Sequence, residues 1–365
     1  MILHRADERN GLVHLVGELE ARLTGSSTNP GLDPAIARLI PGAASYLMVL
    51  FDGLGDRQLP HPAAWSLLES RQAVLQAPFP TTTTVSLATI ATGHPVNTHG
   101  LIGHLMWVPE LNKVVNTLKW VDLTGASVGY DTRHWLPTPN LWERLGEAGV
   151  EPVTVQPAEF AATPLTDALY RGCRFVGFDS AAEFVARSLA EVSIPGRLVF
   201  AYWPPIDYAA HVWGQGSDKY HQTLEEASEV WEGLRRNLPR EVTLIGTADH
   251  GLVDVPQSGK QLIRDQEFRM LDFWGDSRAL MVRGSRRLID RLHHQTGSEL
   301  IEADVELLWG SGESHPQLAA RMPHCVLLAP PRSVLLPPGF DKRLVGYHGG
   351  LTEEEVDIPL LVGSG

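Results

Sequence analysis

The sequence predicts an α/β protein: a doubly wound, mostly parallel sheet flanked by helices, with a small inserted subdomain. Three observations predict it. Ser45-Tyr46-Leu47-Met48-Val49-Leu50-Phe51 is a continuous apolar run, as expected for a strand buried on both faces of a parallel sheet. Further strand-like runs alternate with helical patterns. Polar, chemistry-bearing residues gather where the strands end.

In chain order, Gly11 to Leu23 has the spacing of an amphipathic helix, and Pro30 to Pro41 reads as a connection. The apolar strand then ends at Asp52-Gly53-Leu54-Gly55. Later strands are expected at Pro152 to Val155, Leu198 to Tyr202, Val242 to Gly246 and Pro359 to Val362. Helices are expected at Asn140 to Ala148, Ala181 to Ala190 and Lys219 to Leu238. Residues 254–342 hold short apolar runs and proline-rich turns such as Ala329-Pro330-Pro331 and Leu336-Pro337-Pro338. They read as the inserted subdomain, with residues 1–253 and 343–365 forming the core.

The chain has 365 residues, of which 43% are hydrophobic and 20% charged, enough to bury a sizeable core. A net charge of -13 argues against a nucleic-acid polymer or an anionic membrane as partner. An anionic small molecule remains compatible where bound metal supplies local positive charge. Cys173 and Cys325 form no metal pattern and read as small buried residues. The N-terminus, Met1 to Glu8, lacks a basic start followed by an apolar run, and no stretch is long enough to span a membrane. A cytoplasmic location is expected; the oligomeric state is left open.

Four segments carry candidate chemistry. In Asp207-Tyr208-Ala209-Ala210-His211, helical spacing puts Asp207 and His211 on one face, where they can share an ion; alone, Asp207 also reads as a helix cap. Thr247-Ala248-Asp249-His250-Gly251 follows a strand, and the glycine permits a close turn. Gly346-Tyr347-His348-Gly349-Gly350 alone reads as a surface loop. The run Pro80-Thr81-Thr82-Thr83-Thr84 precedes a helical pattern ending at Gly93 and Pro95, so one threonine sits at a helix N-terminus, where negative charge is favoured. Together they supply three carboxylates, three histidines and a hydroxyl. That donor set suits Zn²⁺ or Mn²⁺, and two ions about 4 Å apart can clamp an in-line displacement.

The ordered set, Phe-Asp-Gly, Pro-Thr-x-Thr through Thr-Gly, Asp-xxx-His, Asp-His-Gly and a late His-Gly-Gly, resembles the alkaline phosphatase superfamily. It is most similar to the type I phosphodiesterase/nucleotide pyrophosphatase branch. The resemblance covers about residues 45 to 253 and 343 to 363. It implies an alkaline-phosphatase-like fold and a hydrolase of small phosphate esters. It implies one ion on Asp52, Asp249 and His250, and another on Asp207, His211 and His348. The nucleophile, approaching both ions, is implied to be Thr83, with Thr82 and Thr84 as the neighbouring registers, acting through a phosphothreonine.

One position departs from the pattern. Nucleotide pyrophosphatases of this type carry an asparagine three residues after the nucleophile, in contact with a phosphoryl oxygen; here that residue is Ser86, which reaches less far. Ser86, Trp203 and Trp213 are expected to line the substrate pocket, and His99 to be structural. A phosphomonoesterase or phosphomutase of the same superfamily is the alternative, followed by a metal-binding protein without turnover. The Cys-x-Pro-x-Arg-like motif of the sulfatases is absent at Cys173.

Overall fold

A computed structural model describes residues 9–133 and 135–363. The Met1 to Glu8 segment, read above for a leader, lies outside the described residues.

The main sheet has seven strands: β1 (Ser45–Phe51), β2 (Arg71–Gln76), β3 (Glu151–Pro157), β4 (Arg174–Phe178), β5 (Arg197–Trp203), β6 (Val242–Thr247) and β7 (Asp357–Gly363). Their spatial order is β2-β7-β6-β1-β5-β3-β4. β1 pairs in parallel with β5 and β6, and β3 in parallel with β5 and β4. β7 alone runs against its neighbours, lying antiparallel between β2 and β6. Every residue of β1, β5 and β6 is buried, which accounts for unbroken apolar runs rather than alternation.

Helices cover both faces. α1 (Leu12–Thr24) buries Leu12, Leu15, Val16 and Leu19 and stops at Gly25, whose φ of 84° no β-branched residue tolerates. α2 (Thr83–Thr92) is buried at all ten positions, so its threonines and alanines allow close packing instead of an amphipathic stripe. α3 (Leu141–Glu147) is capped by Asn140, and α4 (Ala181–Val192) by Ser180. α5 (Pro205–Trp213) follows β5 directly, and α6 (Asp218–Arg236) packs against it. Among the described residues no helix is long and apolar enough to cross a membrane.

A second seven-stranded sheet lies beside the first. Four of its strands, Asp272–Gly275, Ala279–Arg283, Glu299–Glu302 and Cys325–Leu328, come from the proline-rich segment. The other three, Leu105–Val108, Lys113–Asn116 and Val121–Asp122, come from a hairpin region far upstream. The second sheet is thus assembled from two stretches of chain, joined where Gly275 pairs with Leu105. Cys325 is buried and Cys173 half-buried; burial pushes both thiols up, Cys325 to about 12.

Candidate active site

Three neighbouring parallel strands, β5, β1 and β6, end side by side. Asp52 is the first residue past β1, Asp249 and His250 follow β6, and Asp207 lies in the first turn of α5 after β5. Main-chain bonds fix this edge: the Asp52 amide donates to the Trp203 carbonyl and the Asp207 amide to the Asp52 carbonyl, both at 3.0 Å. His211 lies one turn further along α5. His348 arrives from the chain after the short antiparallel pairing of Gly346–Tyr347 with Val253–Asp254.

The six side chains form two groups. In Asp52, Asp249 and His250, one ligand atom of each lies within 4.8 Å of the others, and all three are buried. Asp207, His211 and His348 meet the same limit and are half-buried. The groups adjoin: the His250 and His348 rings stack with centroids 3.8 Å apart, and His211 and His348 lie 5.1 Å apart.

The hydrogen bonds around these groups fit cations. Each histidine places Nδ1 against a backbone carbonyl: His211 on Gly346 at 2.7 Å, His348 on Thr81 at 2.8 Å, His250 on Gly251 at 3.1 Å. Nδ1 therefore carries the hydrogen, and Nε2 offers its lone pair inward. The carboxylates match: Asp52 Oδ1, Asp207 Oδ1 and Asp249 Oδ2 are buried with no hydrogen-bond partner. Their other oxygens are engaged, Asp52 Oδ2 by the Tyr202 hydroxyl and Asp249 Oδ1 by the Gly53 and His250 amides at 3.0 Å. Three orphaned carboxylate oxygens facing three imidazole lone pairs are costly without positive charge between them.

The electrostatics agree. Burial, then Asp249 and Asp207, push the Asp52 carboxyl well above its ordinary range, against the Tyr202 hydroxyl. Burial also raises Asp207, opposed by His211 and His250. Burial and the neighbouring His250 and His211 hold His348 well below its usual value.

Thr83 is the first residue of α2, and its Oγ1 lies 3.2 Å from His250 Nε2. The adjacent threonines point elsewhere. Thr81 Oγ1 donates to the Gly350 carbonyl, and Thr84 Oγ1 meets Thr117 at 3.0 Å. Thr82 Oγ1 is buried beside the Asp276 carboxyl.

Thr83, Asp52, Asp207, His211 and His348 open onto a cavity of about 750 Å³. Its walls are largely apolar, with Phe160, Leu165, Tyr170, Tyr208 and Phe340 among them. Lys119 is the one lysine or arginine lining it among the described residues.

The other expected pocket residues lie apart from it. Ser86 is fully buried, and its hydroxyl donates to the Asp249 carbonyl at 2.7 Å, steadying the loop that carries Asp249 and His250. Trp203 packs behind the sheet against Phe178 and Phe184. Trp213 is exposed on α5, edge-on to Tyr208, which does reach the cavity. His99 is buried as a neutral ring between Thr89 and the Leu101 amide, and burial drives its pKa down to about 3.

Sequence reading missed Tyr202, His104 and Asp276. Tyr202 was legible only as a residue near the end of β5; the structure sets it opposite Leu50 in parallel register and so near Asp52. Asp276 comes from the second sheet, in no motif; burial raises it to about 7.

Residues 47–306 match the family model for type I phosphodiesterase / nucleotide pyrophosphatase. The chain belongs to this family. It is a family of hydrolases acting on phosphoric ester bonds. No curated protein sequence matches the chain. Among solved structures it is similar to murine ectonucleotide pyrophosphatase / phosphodiesterase 5, at 20% identity, 88% of each chain and a TM-score of 0.63. The human protein of that name gives 17%, 87% of each chain and 0.65. Phosphonoacetate hydrolase from Sinorhizobium meliloti 1021, in complex with phosphonoformate, gives 17%, 89% of this chain, 91% of that one and 0.64. At such identities the likeness is one of fold. An inactive threonine-to-alanine variant of the murine protein has been solved in complex with AMP.

Proposed function

We propose that this family member is a metal-dependent phosphohydrolase, phosphodiesterase-like, that uses Thr83 as nucleophile and two divalent ions, Zn²⁺ or Mn²⁺. The observation that carries the reading is the position of Thr83 Oγ1, 3.2 Å from His250 Nε2 of one three-residue donor group, in a cavity lined by Asp52 of that group and by all three residues of the other. Asp52, Asp249 and His250 would hold one ion, and Asp207, His211 and His348 the other. When bound, the ions supply positive charge that favours the Thr83 alkoxide and screens the phosphoryl oxygens.

The chain's own groups do the rest. Thr83 is the first residue of α2, where the positive end of the helix dipole favours negative charge at its hydroxyl and at a phosphate before it. Thr83 Oγ1 attacks phosphorus in line; the P–O bond to the esterifying group breaks, and the departing oxygen takes its electron pair and a proton. Water then cleaves the phosphothreonine, returning Thr83 and releasing phosphate or a monoester. The apolar walls and the single lysine favour a substituted phosphodiester over a bare phosphate dianion.

The test is hydrolysis of bis-p-nitrophenyl phosphate against p-nitrophenyl phosphate, by wild type and Thr83→Ala, with Zn²⁺, Mn²⁺ or chelator. Phosphonoacetate serves as third substrate. The reading expects metal-dependent diester cleavage that Thr83→Ala abolishes. Thr83→Ala turnover equal to wild type sinks the nucleophile, and none with any substrate sinks the hydrolase.

A further inference from the structure

His104 is the polar side chain of the cavity wall whose hydrogen-bonding state the surroundings determine completely. It lies in the turn before the Leu105–Val108 strand, next to the Leu105–Asn116 pair that joins this strand to its neighbour. Asn116 Nδ2 is 3.0 Å from His104 Nε2. The amide cannot be turned round, because Asn116 Oδ1 accepts the backbone N–H groups of Leu118 and Lys119, each at 3.0 Å. A reversed amide would set donors against donors. Nδ2 therefore donates, Nε2 accepts, and the hydrogen of the neutral ring is on Nδ1. Among the described residues no protein group takes that hydrogen.

The backbone of His104 is tied to the nucleophile's helix. Its carbonyl accepts the Thr117 amide at 2.8 Å and lies 3.0 Å from Thr117 Oγ1, which is itself 3.0 Å from Thr84 Oγ1. Its amide lies 3.4 Å from Asp276 Oδ2. A ring so mounted holds its donor in place before any ligand arrives, as transition-state stabilisation requires.

We propose that His104 is a specificity-determining donor whose Nδ1–H binds a phosphoryl oxygen of the substrate, and that Asn116 is the positioning residue holding its tautomer. The proposal rests on the phosphohydrolase reading above. It supplies the donor that Ser86, committed to the Asp249 carbonyl, does not. Burial, the largest cause, lowers the pKa of His104 to about 4, in keeping with the neutral ring that the Asn116 contact fixes. Asp276 is the carboxyl group beside it.

Four variants and one spectroscopic measurement test this. His104→Ala should lower kcat/KM for bis-p-nitrophenyl phosphate by about 10²- to 10³-fold, the loss typical of a removed oxyanion donor, with thermal midpoint and metal content unchanged. His104→Asn, another neutral N–H donor, should return activity to within about tenfold of wild type. In Asn116→Asp a carboxylate faces Nε2 and requires the hydrogen there. Nδ1–H then survives only in the doubly protonated ring, so activity should fall as pH rises where wild type holds steady. Nitrogen NMR of histidine-labelled, metal-free protein should report Nδ1–H at His104 in wild type and Nε2–H in Asn116→Asp. The proposal is overturned by His104→Ala within threefold of wild type, by equal impairment in His104→Asn, or by Nε2–H in the wild-type spectrum. Thr83→Ala separates the two readings: inactive Thr83→Ala with active His104→Ala overturns this inference alone, whereas active Thr83→Ala overturns the nucleophile.

Discussion

Replacing Arg278 with methionine should destabilise the protein severely although the residue touches no proposed metal ligand. The Arg278 and Glu355 side chains are 1% and 0% exposed and pair through two parallel bonds, Nε to Oε1 at 3.0 Å and Nη2 to Oε2 at 2.9 Å. Nη1 also donates to the carbonyls of Pro330 at 2.9 Å and Ser333 at 2.6 Å. In Arg278→Met the Glu355 carboxylate stays buried with no cation, keeping the Gly350 amide at 2.8 Å and the Thr352 hydroxyl and amide at 2.9 and 3.4 Å. Removing one partner of a buried ion pair costs about 3–5 kcal/mol, mostly from the charge left behind. Adding Glu355→Gln removes that charge while an amide oxygen can still accept from Gly350. The double variant should therefore regain about half of the loss. Urea denaturation at constant pH with chelator present isolates this contribution from metal binding. A loss below about 1 kcal/mol in Arg278→Met, or a double variant as unstable as the sum of the two singles, refutes the reasoning.

Three further outcomes follow from the geometry. His99→Gln should blunt acid denaturation: a ring neutral in the fold to about pH 3 but protonated when unfolded below about 6.5 contributes stability above 6.5 and loses it as pH falls, by about 1.4 kcal/mol per unit. Equal slopes of stability against pH between 6.5 and 4 in both proteins would exclude it. Tyr202→Phe removes the hydroxyl that engages Asp52 Oδ2 and should weaken Zn²⁺ binding by about 10- to 100-fold in a competition titration; unchanged affinity would leave Tyr202 with packing alone. Gly251→Ala would place a Cβ 2.0 Å from the Glu354 carbonyl oxygen and 2.9 Å from Gly55 Cα, so the Asp249–His250 loop must shift. Calorimetry should find metal binding at least tenfold weaker, and wild-type affinity would refute the fit.

The sheet was legible because burial on both faces leaves runs such as Ser45 to Phe51 and Val242 to Gly246 without polar interruption. Asp52, Asp207 and Asp249 were legible for a related reason, since a carboxylate straight after such a run marks the ligand-binding end of a parallel strand. The antiparallel direction of β7 was not, because an apolar run carries no sign of its direction. The pairing of Gly275 with Leu105 depends on residues 170 positions apart in the chain, and nothing local encodes it. Ser86 and Trp203 illustrate the converse limit. Sequence distance put both near Thr83 or Asp207, but the side of the element decides whether a residue meets the cavity or the core, and both face inward. His104 sits near the threonine helix in sequence but carried no assignable role, because its contacts depend on Asn116, in another strand of the second sheet.

The place of β7 bears on when the protein becomes competent during its synthesis. The strand fills the gap between β2 and β6, and its preceding turn, through Glu355, accepts the Gly251 amide and the Gly350 amide on either side of the ligand loops. Until Asp357–Gly363 has left the ribosome, β2 and β6 have no common neighbour and the loops bearing His250 and His348 have no shared anchor. A growing chain that already carries Thr83 and all six proposed ligands therefore still lacks the strand that ties their loops together, and the site is held in one piece only with the closing of the sheet.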